Sequence, residues 1–255
     1  MKIAVAGGTG LVGAMVVNAL RDAGHEPVVL ARSYGIDITT GAGLVEALVG
    51  VDAVIDVSNI ATTRRHTSVA FFTNGTEHLL AAGQRAGIRH HVALSIVGVD
   101  RVNFGYYEGK RRQEELVLQG PAPGSVLRAT QFYEFPGQLL ARSRGPLTLV
   151  PHMLVQPVAA REVAAALIAL AAGPAGGLAP ELAGPQEHEM VDLARRVVRA
   201  HGERRRVVGL RVPGTAGRAM ASGGLLPTGP GPRGRLTFEQ WLSAGTPPIQ
   251  PGRQP

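Results

Sequence analysis

Short apolar runs alternate with longer amphipathic segments through the first half of the chain. Residues rich in Val, Ile, Leu and Ala predict strands at 2–7, 26–33, 51–59, 91–99 and 124–129. Helical periodicity predicts helices between them at 11–24, 68–87 and 106–119. Strands that alternate with helices at this spacing indicate repeated βαβ units. The pattern therefore predicts an α/β fold with a doubly wound parallel sheet.

A glycine-rich turn, AGGTGLVG, follows the first predicted strand and opens the first predicted helix. Gly7 and Gly8 permit a tight turn. Gly10 lets backbone N–H groups approach a pyrophosphate, and Gly13 lets the helix pack close to the sheet. The N-terminus of that helix adds partial positive charge toward the phosphates. The turn therefore predicts a dinucleotide site on a Rossmann sheet.

The end of the second predicted strand bears on which dinucleotide binds. NAD sites usually place an acidic residue there, where it bonds the ribose 2′-hydroxyl. Here the strand ends Leu-Ala-Arg-Ser, with no carboxylate at residues 31–33. Arg32, beside Ser33, can pair with a 2′-phosphate as a bidentate fork. The sequence predicts NADP(H) as the cofactor rather than NAD(H).

The pattern loosens after Pro136. Helices are predicted at 159–173, 189–202 and 237–243, a strand at 206–214, and a Gly- and Pro-rich loop at 223–235. We interpret residues 1–245 as one domain. Its dinucleotide-binding core is 1–135, and 136–245 form a small C-terminal lobe on the substrate side. Residues 246–255 are expected to be a flexible tail.

Composition narrows the classes of function. The 255 residues are 45% hydrophobic and include no cysteine, which excludes disulfides, thiolate metal ligands and a Cys nucleophile. The net charge of +7 comes from scattered arginines, and the basic stretch 199–211 lacks aromatics for base stacking. His90 and His91 lack a third ligand at useful spacing, so no metal site is expected. The start lacks signal-peptide features, and no apolar run is long enough to span a bilayer. We expect a cytoplasmic protein that binds a small molecule, with no nucleic-acid or membrane partner and with its oligomeric state open.

Lysine occurs only at positions 2 and 110, whereas arginine supplies the other cations. Lys110 therefore suggests a role for a compact ammonium group that Arg cannot fill. Tyr106 lies four residues before Lys110 and Tyr107 three before it, so helix geometry lets either tyrosine share a face with the lysine. Ser95, on the preceding predicted strand, can hydrogen-bond a substrate oxygen. The alternative is that both tyrosines are packing residues and Lys110 is solvated.

The glycine turn, the Ser95 strand and the Tyr106-x-x-x-Lys110 spacing together resemble the short-chain dehydrogenase/reductase family. The stretches at 75–98, 109–117, 125–135 and 182–194 resemble its atypical, NmrA-like branch. The resemblance implies that Tyr106 is the general acid/base, that Lys110 binds the nicotinamide ribose and that Ser95 orients the substrate oxygen.

The same resemblance implies further contacts. The pyrophosphate would be held by Gly7, Thr9, Gly10, Leu11, Val12 and Gly13. Asp37 would contact adenine, and Ser58 would lie beside the adenosine ribose. Residues 128–132 would border the nicotinamide, with Phe132 and Tyr133 facing the substrate and Tyr107 as a pocket wall or a packing residue.

These features favour an NADPH-dependent oxidoreductase of the carbonyl reductase or alcohol dehydrogenase type, with Tyr106 as its acid/base. NmrA-like relatives that bind the dinucleotide without chemistry make a non-catalytic NADP(H) redox sensor the alternative. A sugar-nucleotide epimerase or dehydratase ranks third, because the C-terminal lobe is short for a nucleotide-sugar site.

Overall fold

In a computed structural model, the chain is described at residues 1–120, 122–143 and 145–245. The strands are β1 Lys2–Ala6, β2 Glu26–Leu30, β3 Ala53–Asp56, β4 His90–Ile96, β5 Gly124–Ala129, β6 Leu147–Pro151, β7 Leu154–Val155, β8 Gly177–Leu178, β9 His188–Glu189 and β10 Arg206–Leu210. The helices are α1 Leu11–Asp22, α2 Leu44–Ala47, α3 Arg65–Ala86, α4 Gly105–Gln119, α5 Phe135–Ala141, α6 Ala160–Ala172, α7 Met190–Ala200, α8 Gly214–Ala221 and α9 Phe238–Ser243.

Six strands form the central sheet in the order β2-β1-β3-β4-β5-β8, and every neighbouring pair is parallel. The predicted doubly wound α/β fold is confirmed. The chain leaves β1 for β2 on one side and then crosses to β3 on the other. The carboxyl ends of β1 and β3 therefore border the crevice where ligands bind in such sheets.

Helices cover both faces of this sheet. On one face, α1 and α6 pack together over β1, β3, β4 and β5 through a cluster that includes Val16, Leu20, Val163 and Leu167. On the other face, α2 and α3 cover β1 and β3, and α4 packs against β4 and β5 through Val117. Because helices lie on both sides, Val54 and Ile55 of β3 are both fully buried although they point to opposite faces.

The C-terminal half contributes to two regions. Its α6 and β8 join the layers of the central sheet. The parallel pair β6–β10 and the antiparallel pair β7–β9, with α5, α7 and α9, surround a second core that contains Leu140, Met190 and Phe238. The division of the chain at residue 135 stays a prediction. The predicted tail, 246–255, lies outside the described residues.

Some boundaries differ from those expected. The second strand was expected to reach Ser33 but ends at Leu30, and Arg32–Tyr34 form a single 3₁₀ turn. The helix expected at 68–87 begins three residues earlier, at Arg65. Helices α2, α5 and α8 and the short strands β6 to β9 were not predicted. In the described part of the chain, no helix is both long and apolar enough to cross a membrane.

Candidate active site

The glycine turn joins β1 to α1 at the crevice. Gly7 has a φ of +76°, the left-handed conformation that favours glycine. Its carbonyl oxygen accepts the Gly10 N–H at 2.9 Å. A Cβ atom on Gly13 would lie 2.1 Å from that same oxygen, so only glycine lets α1 start this close to the turn.

The first turn of α1 has the features of an anion cradle. Gly10 is its N-cap and supplies no side-chain hydrogen bond, so the N–H groups that begin the helix keep their donors for another acceptor. Thr9 and Leu11 are exposed at this turn, and their contacts to the pyrophosphate stay a prediction. The side chain of Val12 is buried in the core instead. Its N–H is therefore the group that can face a phosphate.

The predicted adenosine side lies at the end of β2. Arg32 and Ser33 are exposed on the 3₁₀ turn, and no hydrogen bond or ion pair of the Arg32 guanidinium occurs within the described ranges. Asp37 accepts the Thr39 hydroxyl at 2.7 Å and the Thr39 N–H at 2.8 Å. These bonds, aided by the charge of Arg32, hold the pKa of Asp37 below its ordinary value. Its carboxylate is already partly engaged within its own loop.

The loop after β3 lies against the glycine turn. Ser58 is buried, and a Cβ on Gly7 would come within 2.8 Å of the Ser58 Cα atom. The Ser58 N–H donates to Oδ1 of Asp56 at 2.9 Å, which fixes the loop to the end of its strand. The structure therefore brings Ser58 and the glycine turn together, and the contact of Ser58 with the adenosine ribose stays a prediction.

Tyr106 lies in the first turn of α4 and points to this loop. Its hydroxyl donates a 2.6 Å hydrogen bond to Oδ1 of Asn59, and its carbonyl oxygen accepts the Ser68 hydroxyl at 2.7 Å. Burial, with a smaller effect of Tyr107, raises the pKa of Tyr106 above its ordinary value. The phenol therefore holds its proton firmly at neutral pH.

Lys110 lies one turn further along α4 and is only 4% exposed. Its Nζ donates to the Leu94 carbonyl oxygen at 2.7 Å and to Oε1 of Gln113. Burial lowers the pKa of Lys110 to about 8, against the opposing charges of Asp56 and Glu114. No hydrogen bond joins Tyr106 to Lys110 among the residues described.

Phe72 on α3 adjoins both of these side chains. Its ring centroid lies 4.5 Å from Lys110 Nζ, a cation–π contact, and 5.7 Å from the centroid of the Tyr106 ring. The tyrosine and the lysine thus share an aromatic neighbour.

Two side chains at the neighbouring strand ends have buried polar atoms that lack partners among the described residues. Ser95, on β4 next to Leu94, has a buried Oγ with no hydrogen bond to any described residue. The same holds for both polar atoms of the Gln131 amide, just after β5. Buried polar atoms without partners are uncommon in folded proteins, so these groups fit a rim that receives a polar ligand.

The predicted substrate residues are mostly core residues. Tyr133 is fully buried, packs against Phe238 and donates its hydroxyl to the Leu236 carbonyl oxygen at 2.5 Å. Tyr107 is also buried and packs edge-on against Phe104, which matches the packing alternative for this tyrosine. Phe132 is half-buried and pairs with Val158 in an isolated bridge. The substrate role of Tyr133 stays a prediction, although its hydroxyl is already bonded inside the lobe.

Sequence reasoning missed several groups around these side chains: Asp56, Asn59, Phe72, Gln113, Glu114 and Asp100. Arg128 binds both oxygens of Glu114, at 2.8 and 2.7 Å, and Asp100 Oδ2 at 2.8 Å. The carboxylate of Glu114 raises the pKa of Arg128, so the pair stays ionised. An acidic residue inside the apolar run VIDV was the one sequence signal for Asp56.

The residues present fit a nicotinamide dinucleotide. The uncapped N–H groups of α1 suit the pyrophosphate, and the unpartnered Ser95 and Gln131 lie on the neighbouring strand ends. Within the described ranges, no cluster of His, Asp and Glu could hold a metal ion. Fold and site together have the features of a dinucleotide-binding α/β protein.

Comparisons with known proteins agree with this class. Residues 3–103 match the family model described as the NAD dependent epimerase/dehydratase family. The chain is 35% identical over 111 residues to the photosystem II assembly factor Ycf39 of Synechocystis, covering 38% of this chain and 34% of that protein. It is 31% identical over 144 residues to a (4-alkanoyl-5-oxo-2,5-dihydrofuran-3-yl)methyl phosphate reductase of Streptomyces griseus, covering 51% and 48%. The matched part thus spans about a third to a half of these relatives.

Solved structures share the fold over nearly the whole chain. MoeE5 in complex with UDP-glucuronic acid and NAD has a TM-score of 0.73 at 18% identity, covering 95% of this chain and 97% of that one. A short-chain dehydrogenase/reductase superfamily protein from Agrobacterium tumefaciens with bound NAD has a TM-score of 0.68 at 20% identity, covering 96% and 95%.

Residues 3–103 of the chain are related to the NAD dependent epimerase/dehydratase family, and the fold of the chain is shared with a short-chain dehydrogenase/reductase superfamily protein. By their names, the proteins that the chain resembles include a reductase, a dehydrogenase and an epimerase. The narrower NmrA-like assignment stays a prediction.

Proposed function

We propose that the protein is an NADPH-dependent oxidoreductase that reduces a carbonyl or oxidises an alcohol, with Tyr106 as its general acid/base. One observation carries the proposal. The Tyr106 hydroxyl is bonded to Asn59, and the adjacent Ser58 lies against Gly7 of the glycine turn. An ionisable hydroxyl is thereby held one loop away from the dinucleotide cradle, at the carboxyl edge of the sheet.

Tyr106, Ser95 and Lys110 each have a separate role in the proposed reaction. When bound, the nicotinamide supplies or accepts a hydride at the substrate carbon. Tyr106, whose raised pKa keeps it protonated, donates its proton to the substrate oxygen during reduction. Ser95 aligns that oxygen through its unpartnered hydroxyl. Lys110 supplies positive charge below the nicotinamide ribose.

The proposal specifies NADP(H) because of the residues after β2. Arg32 is exposed, its guanidinium is uncommitted in the described part of the chain, and no carboxylate stands at residues 31–33. A guanidinium at this place attracts a 2′-phosphate, whereas a carboxylate would repel it. A small-molecule substrate and a cytoplasmic location complete the proposal, the latter supported by the absence of cysteine.

A non-catalytic NADP(H) sensor is the second candidate, and the burial of Lys110 favours it. The ammonium already contacts the Leu94 carbonyl oxygen, Gln113 and the face of Phe72. If these contacts persist with the dinucleotide bound, Lys110 does not reach the ribose. The protein would then bind NADP(H) without turnover.

The test combines binding with turnover. NADPH and NADH affinities are measured by calorimetry, and NADPH oxidation is followed with a panel of aldehydes, ketones, quinones and UDP-sugars. We expect NADPH binding and turnover of at least one carbonyl. We expect Tyr106→Phe to lower kcat about a hundredfold or more with nearly unchanged NADPH affinity.

Three other outcomes would favour a different function or a different acid/base. Binding without turnover of any compound would favour the sensor. Conversion of a UDP-sugar without net NADPH oxidation would favour an epimerase. Loss of turnover in Tyr107→Phe but not in Tyr106→Phe would reverse the assignment of the two tyrosines.

A further inference from the structure

A chain of hydrogen bonds runs from Lys110 to the strand at the centre of the crevice. Lys110 Nζ donates to Oε1 of Gln113. The other end of the same amide, Nε2 of Gln113, donates to Oδ2 of Asp56 at 2.8 Å. Gln113 and Asp56 are each 1% exposed, so this series of hydrogen bonds is shielded from water. We call these three residues the Asp56 relay.

The second oxygen of Asp56 is also used. Its Oδ1 accepts the Ser58 N–H at 2.9 Å. Asn59, the next residue, accepts the Tyr106 hydroxyl. One buried carboxylate is therefore connected to both functional candidates of α4, to Lys110 through a side-chain amide and to Tyr106 through the loop after β3.

We propose that Asp56 and Gln113 are positioning residues that hold the Lys110 ammonium at a fixed place beneath the dinucleotide crevice. The inference rests on the proposed role of Lys110 at that crevice, but its test does not depend on turnover. Neither residue touches the reacting atoms; each acts through the group it binds.

The burial of the Lys110 ammonium explains why positioning residues are needed here. A buried ammonium loses its hydration, and each of its donors needs an acceptor within the protein. The Leu94 carbonyl oxygen and Gln113 accept two donors, and the face of Phe72 covers the third side. A fixed amide is rigid enough to keep an ammonium in one place, which a water molecule would not do as well.

Other ionisable groups pack near the relay. Asp56 on β3 and Glu114 on α4 supply negative charge, while Glu114 is itself bound by Arg128 on β5. His91 on β4 lies near Asp56, and burial lowers the pKa of His91, which favours its neutral form. From α3, the relay meets the aromatic ring of Phe72. Asp56 and Glu114 are therefore the charges that favour the protonated form of Lys110.

The scarcity of lysine makes a direct test possible. Protein labelled with ¹³C at the lysine ε carbon gives two signals, from Lys2 and Lys110, and a Lys2→Arg variant assigns them. Each signal is followed against pH by NMR. Lys2 is the internal reference. In the wild-type protein we expect the Lys110 signal to titrate near pH 8, well below Lys2.

Three variants are expected to move the Lys110 titration midpoint, two of them downward and one upward. Gln113→Met removes the acceptor and Asp56→Asn removes the charge, so each should lower the Lys110 midpoint by about one pH unit or more. Gln113→Glu is equal in size and adds negative charge, so it should raise the midpoint. Gln119→Met, on the exposed side of the same helix, is the matched control and should leave both signals unchanged. A residue that only fills space would not give shifts of opposite sign.

Two results would overturn the proposal. One is a wild-type Lys110 that titrates at the same pH as Lys2. The other is a Lys110 midpoint in the relay variants that equals that of the wild type. The wild-type titration decides the matter even where a variant does not fold. Addition of NADP⁺ separates this inference from the proposed function. If the relay variants shift Lys110 but saturating NADP⁺ does not move its signal, the relay stands and the cofactor role of Lys110 fails.

Discussion

The Tyr106 hydroxyl donates its hydrogen bond to Asn59, 2.6 Å away, and not to a residue of its own helix. Asn59 Oδ1 also accepts the Ile60 N–H at 2.8 Å, so the amide is held in its loop. The candidate acid/base is therefore oriented by the loop that packs on the glycine turn. A change in that loop is expected to alter the chemistry at Tyr106 as well as dinucleotide binding.

Asn59→Asp places a carboxylate beside the phenol. The negative charge disfavours the phenolate, so the pKa of Tyr106 should rise further and proton donation should become harder. We expect kcat at neutral pH to fall about tenfold and the alkaline limb of the pH–rate profile to move upward. Asn18→Asp, exposed on α1, makes the same charge change away from the site and is the control. Equal profiles for the two variants would contradict the role of Asn59.

Arg32→Ala removes the guanidinium expected to bind the 2′-phosphate. The dissociation constant for NADPH should rise about tenfold or more, whereas that for NADH should change little. Arg85→Ala, an exposed arginine on α3, controls for the loss of one positive charge. Calorimetric titration with both dinucleotides measures the ratio of the NADPH and NADH dissociation constants. Equal weakening of NADPH and NADH binding would show that Arg32 does not select between them.

Local signals in the sequence predicted the sheet and the glycine turn. Strand β5 was predicted at Gly124–Ala129 and is found there, because the segment is too short for a typical helix and follows a run of Pro and Gly that ends the preceding helix. Gly7 and Gly13 were identified by spacing, and the close approach of Gly13 to the Gly7 oxygen supplies the physical reason. These features depend on neighbours within a few residues.

Features that depend on distant pairs were not predicted. Gln113 and Asp56 are 57 positions apart and meet only when α4 packs on the assembled sheet. Asn59 and Tyr106 are 47 positions apart. Helix α5 begins Phe-Pro-Gly, which as sequence indicates a turn. The helix forms because Pro136 and Leu140 are buried and Leu140 joins the second core. Tertiary packing decided these cases.

Gly13→Ala tests the close approach at the cradle. The added Cβ would lie 2.1 Å from the Gly7 oxygen and 2.7 Å from Gly8 Cα, so α1 must move away from the turn. We expect a loss of about 1–3 kcal/mol in the free energy of unfolding and severe loss of dinucleotide binding. Gly137→Ala, inside α5 with open space around it, is the matched control and should be neutral or stabilising. Urea unfolding measures the first effect and calorimetry the second.

Lys110 should make stability depend on pH in a defined window. Its pKa is about 8 in the folded protein and 10.5 ordinarily, so between these values the folded state has lost a proton that the unfolded state keeps. Stability therefore rises with pH from about 8 to 10, by up to roughly 3 kcal/mol. Above about pH 10 the raised pKa values of Tyr106, Tyr107 and Tyr133 act in the opposite direction, because the unfolded tyrosines ionise first. Lys110→Met should abolish the rise and keep the decline. Urea unfolding of the wild type and of Lys110→Met at several pH values gives the free energy of unfolding of each protein against pH. If the two plots run parallel between pH 8 and 10, Lys110 is not a buried, titrating ammonium.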